Sequence, residues 1–346
     1  GAQQALTWTA GAVGGGWYQM AGGFAELIRE KAGVTVKVIP GGGTQNPAII
    51  EKGDADMGFG LPPLLNAATM GEDPYTGTKH ASLRALAGNM SLNTFHMYVG
   101  GDTPYASMTM DEIFKGKKPI RLAVSPSGTS DEWVFRKVLE SYGTSYKDME
   151  AVGAKFFRGN YTEQAGMFKD RNVDGTFTFL ALPGAAVTEA SVGRSLKLLT
   201  FSEPLLAYLG KFGLGKGTIP PDTYPKAANA KEPVVSATMG STIVVSAKMP
   251  ADLVYRLAQA INDNPDRVRQ IHGSLKPYDP TQAFLDLYTI QREIGRTDDF
   301  HIAFVGNLAY YRSARSLAYL LGKYNNIHLT FVSAPELRMR DDVKEY

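Results

Sequence analysis

At 346 residues the chain is too long for one small core and fits two domains, or two with an appendage. An ordinary apolar share of 44%, with no uninterrupted run of membrane-helix length, predicts a soluble globular protein. A net charge of +2 with both signs scattered leaves no footprint for nucleic acid, and the lack of cysteine excludes disulfides, thiolate metal sites and cysteine nucleophiles.

The chain opens "GAQQ" without methionine, as expected of an exported protein whose signal peptide has been removed. "ALTWTA" (5–10) predicts a strand and "GAVGGG" (11–16) a glycine-rich bend. Met20, Phe24, Leu27 and Ile28 then share one face of a helix predicted over 18–31. A strand at 34–40, the loop "GGGTQNP" (41–47), a short helix from Ala48 and "GDADMGFG" leading into another strand repeat the alternation. Such alternation predicts an α/β fold with largely parallel sheets.

The formula restarts at 119–143, where Ser127, Thr129 or Ser130 can cap the helix carrying Trp133, Val134, Val138 and Leu139. Strand, helix and strand follow over 155–179. The extended stretches 86–100 and 196–204 are read as the outward and return crossings between two lobes. Residues 210–233, rich in Gly, Pro and Lys, predict a surface loop, 234–247 is β-rich, and Pro250 opens a helix.

Three strand-end loops, at 11–18, 41–46 and 125–131, combine glycine with Ser, Thr, Asn or an aromatic residue. In two facing lobes such loops meet at a cleft and offer neutral donors to a small anion or zwitterion. A dinucleotide fingerprint fails, because the frame from Gly14 has Gln19 at the third glycine position, and no Walker Gly-Lys-Ser/Thr occurs. Taken singly, each loop is equally explained as a tight turn. Arg158 reads either as a bidentate carboxylate clamp or as an exposed strand-end arginine. His96 reads as a hydrogen-bonded structural histidine; His80, His272, His301 and His328 lack metal spacing, and Asp54 and Asp56 finish a turn.

Five blocks, "GAVGGGWYQMAGGFAELI", "VTVKVIPGGGTQNPAIIEKGDADMGFG", "IRLAVSPSGTSDEW", "GMFKDRNVDGTFTFLALPGAAV" and "PADLVYRLAQAI", resemble in order and spacing the TAXI family of periplasmic receptors for TRAP transporters. The resemblance covers residues 1 to about 282. It implies a periplasmic-binding-protein-like, type II Venus-flytrap fold, with lobe I over 1–95 and 205–282 and lobe II over 96–204. It also implies a non-enzymatic receptor for a small organic acid or amino acid such as glutamate, glutamine or a dicarboxylate. Cofactors and metals are not implied, and the partners are TRAP membrane subunits. Carried onto this sequence, Trp17 and Tyr18 stand beside the ligand, Thr44 and Asn46 supply polar groups, and Ser127, Gly128 and Thr129 form an anion loop. Ser130 falls where many relatives have glutamate. Gly16, Gln45 and Pro183 complete the expected set, with Arg158 added as the possible clamp.

The end of the chain differs. "DPTQAFLDLYTIQREIG" (279–295) and the segment from Phe300 to Tyr346 resemble aspartate carbamoyltransferase at its interdomain helix and first βαβ unit. Locally, "HIAFVG" predicts a strand, "SARSLAYLLGKY" an amphipathic helix and "IHLTFVSA" a second strand, which makes 283–346 an appended βαβ segment. Gln282 and Arg312 match substrate-contacting positions of that family, whereas Asp279 replaces its His, and Asn307 and Tyr311 depart from its Gly-Asp-Leu and Gly-Arg-Thr. The phosphate-binding Ser-Thr-Arg-Thr does not occur in 1–278. The alternative identity is therefore an inactive carbamoyltransferase-like fragment or chimera.

Overall fold

The computed structural model describes residues 5–11, 13, 15–88, 90–279, 300–305, 308, 317–318, 321–322, 326–333, 335 and 338–339. The chain begins with β1 (Ala5–Thr9), α1 (Gly16–Ala32), β2 (Thr35–Ile39), α2 (Asn46–Lys52), β3 (Met57–Gly60), α3 (Pro62–Met70) and β4 (Leu83–Ala87). It crosses to β5 (Leu92–Gly100), α4 (Met110–Phe114), β6 (Arg121–Val124), α5 (Ser130–Ser141), α6 (Tyr146–Ala151), β7 (Lys155–Arg158) and α7 (Tyr161–Lys169). The same lobe continues with β8 (Gly175–Leu180), α8 (Ala185–Gly193), β9 (Leu196–Leu198), α9 (Glu203–Gly210), β10 (Gly215–Ile219) and β11 (Val234–Gly240). β12 (Thr242–Ser246), α10 (Ala251–Asn262) and α11 (Pro265–Ile271) complete the first lobe.

The first sheet runs β2-β1-β3-β12-β4 and the second β10-β11-β5-β8-β6-β7, with β9 also on β5. Within them β1, β2 and β3 are parallel, as are β6, β7 and β8. However, β12 is antiparallel to β3 and β4, and β5 is antiparallel to β8, β9 and β11. The expectation of largely parallel sheets is corrected: a strand arriving from the other lobe runs against its neighbours.

The return crossing also moves. Leu196–Leu198 pairs with Tyr98–Gly100 inside the second sheet, and β10 and β11 extend that sheet, so 205–240 joins the second lobe rather than the first. β10, "GKGTI", lies within the stretch predicted as a loop. Its alternation is masked by glycine and lysine, and antiparallel pairing with β11 supplies the order that its own sequence does not advertise. The chain returns at Ser241 instead. There the N–H of Ser241 donates to the Ser91 carbonyl (2.8 Å), the N–H of Met90 donates to the Ser241 carbonyl (2.9 Å), and the two serine hydroxyls lie 2.6 Å apart. Both crossings are therefore tied together at one buried point.

The helical face predicted on α1 is buried, with Met20, Phe24, Leu27 and Ile28 packed into a core with Trp8 and Phe59. Trp8 lies 5.7 Å from Phe24 and 5.1 Å from Phe59, ring centre to ring centre. Burying each such side chain contributes roughly 1.5–3 kcal/mol. Gly33, at φ 66°, ends the helix in the left-handed conformation that glycine adopts without a Cβ clash. A second core takes Ile50, Leu61 and Leu64 from the first lobe and Phe95, Trp133 and Phe177 from the second, so the lobes share packing.

In the C-terminal segment β13 (Phe300–Val305) and β14 (Ile327–Val332) pair in parallel, as the two predicted strands require. Phe304, Leu308, Leu317, Leu321 and Met339 form their own cluster. Most of the predicted helix at 313–324, and both Gln282 and Arg312, lie outside the described residues.

Candidate functional site

The first-lobe half of the site is assembled by one amide. Asn46 is 1% exposed, and its Nδ2 lies 3.2, 2.8 and 2.7 Å from the carbonyls of Thr9, Ala10 and Phe59. Its Oδ1 accepts from the Thr9 hydroxyl (2.8 Å) and from the Gly42 N–H (2.9 Å). The ends of β1 and β3 and the loop after β2 are thereby fastened together. Gly41 has to be glycine for this, since a Cβ there would lie 2.1 Å from Asn46 Oδ1 and 2.3 Å from Thr9 Oγ1. Nearby, the Tyr75 hydroxyl donates to the Thr44 carbonyl (2.8 Å) and braces the same loop.

The second-lobe half comes from two helix starts. Thr129 caps α5, accepting from the Glu132 N–H at 3.3 Å and donating to the Pro126 carbonyl at 2.7 Å. Gly128 turns the chain at φ 83° just before it. Asn160 caps α7 in a reciprocal pair with Glu163, at 2.9 and 2.7 Å.

Between these halves lies a cavity of about 500 Å³. From the first lobe it is lined by Gly11, Gly15, Gly41, Gly42, Gly43, Thr44 and Gln45, and from the second by Ser125, Pro126, Gly128, Thr129, Ser130, Asp131, Asn160 and Tyr161. Asp131 is 5% exposed and lies under three hydroxyls: Ser125 at 3.0 Å and Tyr161 at 2.7 Å donate to Oδ2, and Ser130 at 3.2 Å donates to Oδ1. Burial raises its pKa above the usual aspartate range, opposed by those hydrogen bonds, and enclosure of the hydroxyl beside Asp131 pushes the Tyr161 phenol well up although the residue as a whole is 36% exposed. Gln164 Nε2 donates to Ser125 Oγ at 3.1 Å, while its Oε1 is buried without a partner among the described residues.

Of the sequence-predicted residues, Thr44, Gln45, Gly128, Thr129 and Ser130 are brought together at this cavity. The others lie elsewhere. Trp17 stacks on Phe59 with ring centres 5.2 Å apart, and Tyr18 packs on the first-lobe core. Gly16 opens α1 beside His272. Asn46 has its amide taken up by the protein, and Ser127 is exposed outside the lining. Pro183 follows a cis bond between β8 and α8, away from the lining. Arg158 meets Glu132 at 3.5 Å, donates to the Ser125 carbonyl at 3.4 Å and lies over the Tyr146 ring, so its charge is occupied within the lobe. Asp131 ends the loop at 125–131 without being named as a candidate, whereas Asn160 and Tyr161 lie outside the three loops singled out in the sequence. The signal was present: "FRGNYTEQ" is a fourth strand, polar loop and helix start of the same kind as the three already singled out.

His96 is the structural histidine expected. Its Nδ1 meets the Thr94 carbonyl at 2.9 Å and its Nε2 the Tyr224 hydroxyl at 2.7 Å, which itself accepts from the Gly184 N–H. Burial lowers its pKa to about 4. Asp56 ties the start of β3 to β1, its carboxylate accepting from the Thr7 N–H at 2.8 Å.

Two α/β lobes joined by two crossings around a lined cleft define a solute-binding-protein fold. Solved structures share it: a TctC solute binding protein from Polaromonas (16% identity, TM-score 0.50, covering 85% of this chain and 96% of that one) and PhnD1 from Prochlorococcus marinus in complex with methylphosphonate (11%, 0.53, 84% and 98%). MatC from Rhodopseudomonas palustris, with bound malate, is similar at 13% identity and TM-score 0.50, over 85% and 97% of the two chains. The chain belongs to the NMT1-like family, whose profile matches residues 8–290.

A separate, short likeness runs to another protein. Over 67 residues the chain is 55% identical to aspartate carbamoyltransferase 1, chloroplastic, of Pisum sativum, covering 19% of this chain and 17% of that protein. Over 66 residues it is 54% identical to the catalytic subunit of Methanocaldococcus jannaschii, covering 19% and 22%. The chain thus spans about a fifth of the length of these curated relatives.

Proposed function

We propose that this chain is an extracytoplasmic solute receptor of the TAXI type, which captures a small carboxylate or amino acid between its lobes and delivers it to TRAP membrane subunits. The observation that carries the reading is the cavity lined by loops of both lobes, with both crossings tied at Ser91 and Ser241. Micromolar capture needs about 8 kcal/mol, whereas a helix N-terminus supplies about 0.3–1 and a charge-assisted hydrogen bond roughly 1.5–3. Neither lobe suffices alone, so binding favours the closed arrangement and couples occupancy to closure.

Among the described lining residues there is no histidine, lysine or arginine, and the Ser125 and Ser130 hydroxyls donate to the Asp131 carboxyl, an arrangement that supports binding rather than nucleophilic catalysis. A panel of amino acids, monocarboxylates and dicarboxylates tested by thermal shift checks this reading. A ligand that binds only the folded form raises the melting temperature by mass action, and a chain that responds to none of them is not such a receptor. The short carbamoyltransferase likeness motivates a second reading, carbamoyl transfer to aspartate. The expected result of that assay is no carbamoyl-aspartate above the blank; turnover would displace the receptor reading.

A further inference from the structure

Among its described lining residues the cavity has one strongly acidic side chain and no basic one. Among its lining residues only Asp131 and Tyr161 titrate, and Asp131 forms no ion pair with a described cation. The nearest candidate, Arg158, is held by Glu132. Three hydroxyl donors satisfy part of the Asp131 carboxyl without neutralising its charge, and a buried carboxylate left without a counter-charge is costly. The opposite wall supplies the complementary chemistry. The N–H groups of Gly43 and Thr44 donate to no described group, and the Thr44 hydroxyl is buried without a partner. The first wall thus offers donors with no carboxyl, while the second sets the Asp131 carboxyl among the N–H groups that begin α5. A doubly negative acid would place one of its charges near Asp131 with no cation to offset it.

We propose that Asp131 receives the ammonium group of the ligand while the Gly43–Thr44 loop receives its carboxylate, so that the receptor selects an amino acid over the corresponding acid lacking the amine. This inference rests on the receptor reading above and narrows its ligand class. Ser125, Ser130 and Tyr161 then fix the carboxyl in place, and Gln164, donating to Ser125, positions the network from behind.

The test uses the full chain in thermal-shift and calorimetric titrations with common protein amino acids. Each is set against its counterpart without the α-amino group: glutamate against glutarate, aspartate against succinate, alanine against propionate. The expected result is that at least one amino acid binds, with its counterpart weaker by about tenfold or more, the loss of one charge-assisted contact. A counterpart that binds as tightly overturns the ammonium assignment and leaves the receptor reading standing. No binding by either class overturns both. Asp131→Asn should weaken the amino-acid hit by about tenfold or more without lowering the melting temperature of the unliganded chain. A lowered melting temperature with unchanged affinity would make Asp131 a loop brace and sink the proposal. The wild-type comparison within each pair needs no variant, so it decides the matter even if Asp131→Asn folds poorly.

Discussion

The loop after β2 and the loop after β6 reach the same cavity by different chemistry. The first is held by the Asn46 amide, which binds backbone at three strand ends and has no charge to lose. The second is held by hydroxyls around a buried carboxyl, with the buried His96 elsewhere in the same lobe. One wall is therefore a rigid frame whose cost of disruption is mechanical. The other carries the titratable groups, and with them the sensitivity to pH and to the charge of a guest.

Removing the frame should have the largest effect. Asn46→Ala strands several buried backbone groups, each costing about 1–3 kcal/mol, so urea unfolding should show a loss of about 3–5 kcal/mol. An unchanged midpoint would erase the contrast between the two walls. The next effect is on the second lobe. His96 is neutral when folded down to about pH 4 but binds a proton near pH 6.5 when unfolded, so its contribution is complete above 6.5 and is lost as the pH falls towards 4. Acid unfolding curves should lose up to about 3 kcal/mol across that window, and His96→Gln should flatten this component.

A smaller term links the lobes. Asp73, in the segment after α3, meets Arg136 on α5 at 2.9 Å, and its backbone carbonyl accepts from Trp133 Nε1 at 3.1 Å. Because Asp73 is 41% exposed, Asp73→Ala should cost only about 0.5–1 kcal/mol in chemical unfolding, with a more open particle in small-angle scattering as the sharper readout. The slightest change is expected from Asp131→Asn in the unliganded chain. A carboxyl whose folded pKa is raised contributes stability below its unfolded value and loses it as the pH rises, so the amide variant should melt slightly higher at neutral pH. A lower melting point would place Asp131 with Asn46 as frame.

How far the site could be read in advance follows from the range of each cue. The three loops were visible because glycine and hydroxyl residues at strand ends are local features, and Thr44, Gly128 and Thr129 follow from them. Trp17, three and seven residues before Met20 and Phe24, continues their helical stripe at its half-buried edge and stacks on Phe59, a placement that the local spacing already allows. Arg158 could not be resolved, because its partner Glu132 lies on another element. The return crossing was misread for a similar reason, since β9 and β10 are strands by virtue of the neighbours they pair with.

The amino-acid sequence by itself determined the alternation of strand, loop and helix, the apolar faces of the helices and the glycines where a side chain cannot fit, because each depends on residues within a few turns of one another. Tertiary structure alone decided which loops share a cavity, which polar groups are already consumed by the protein and which carboxyl is left without a cation. Those properties depend on distances between residues far apart in the chain, and burial gives them their energetic weight.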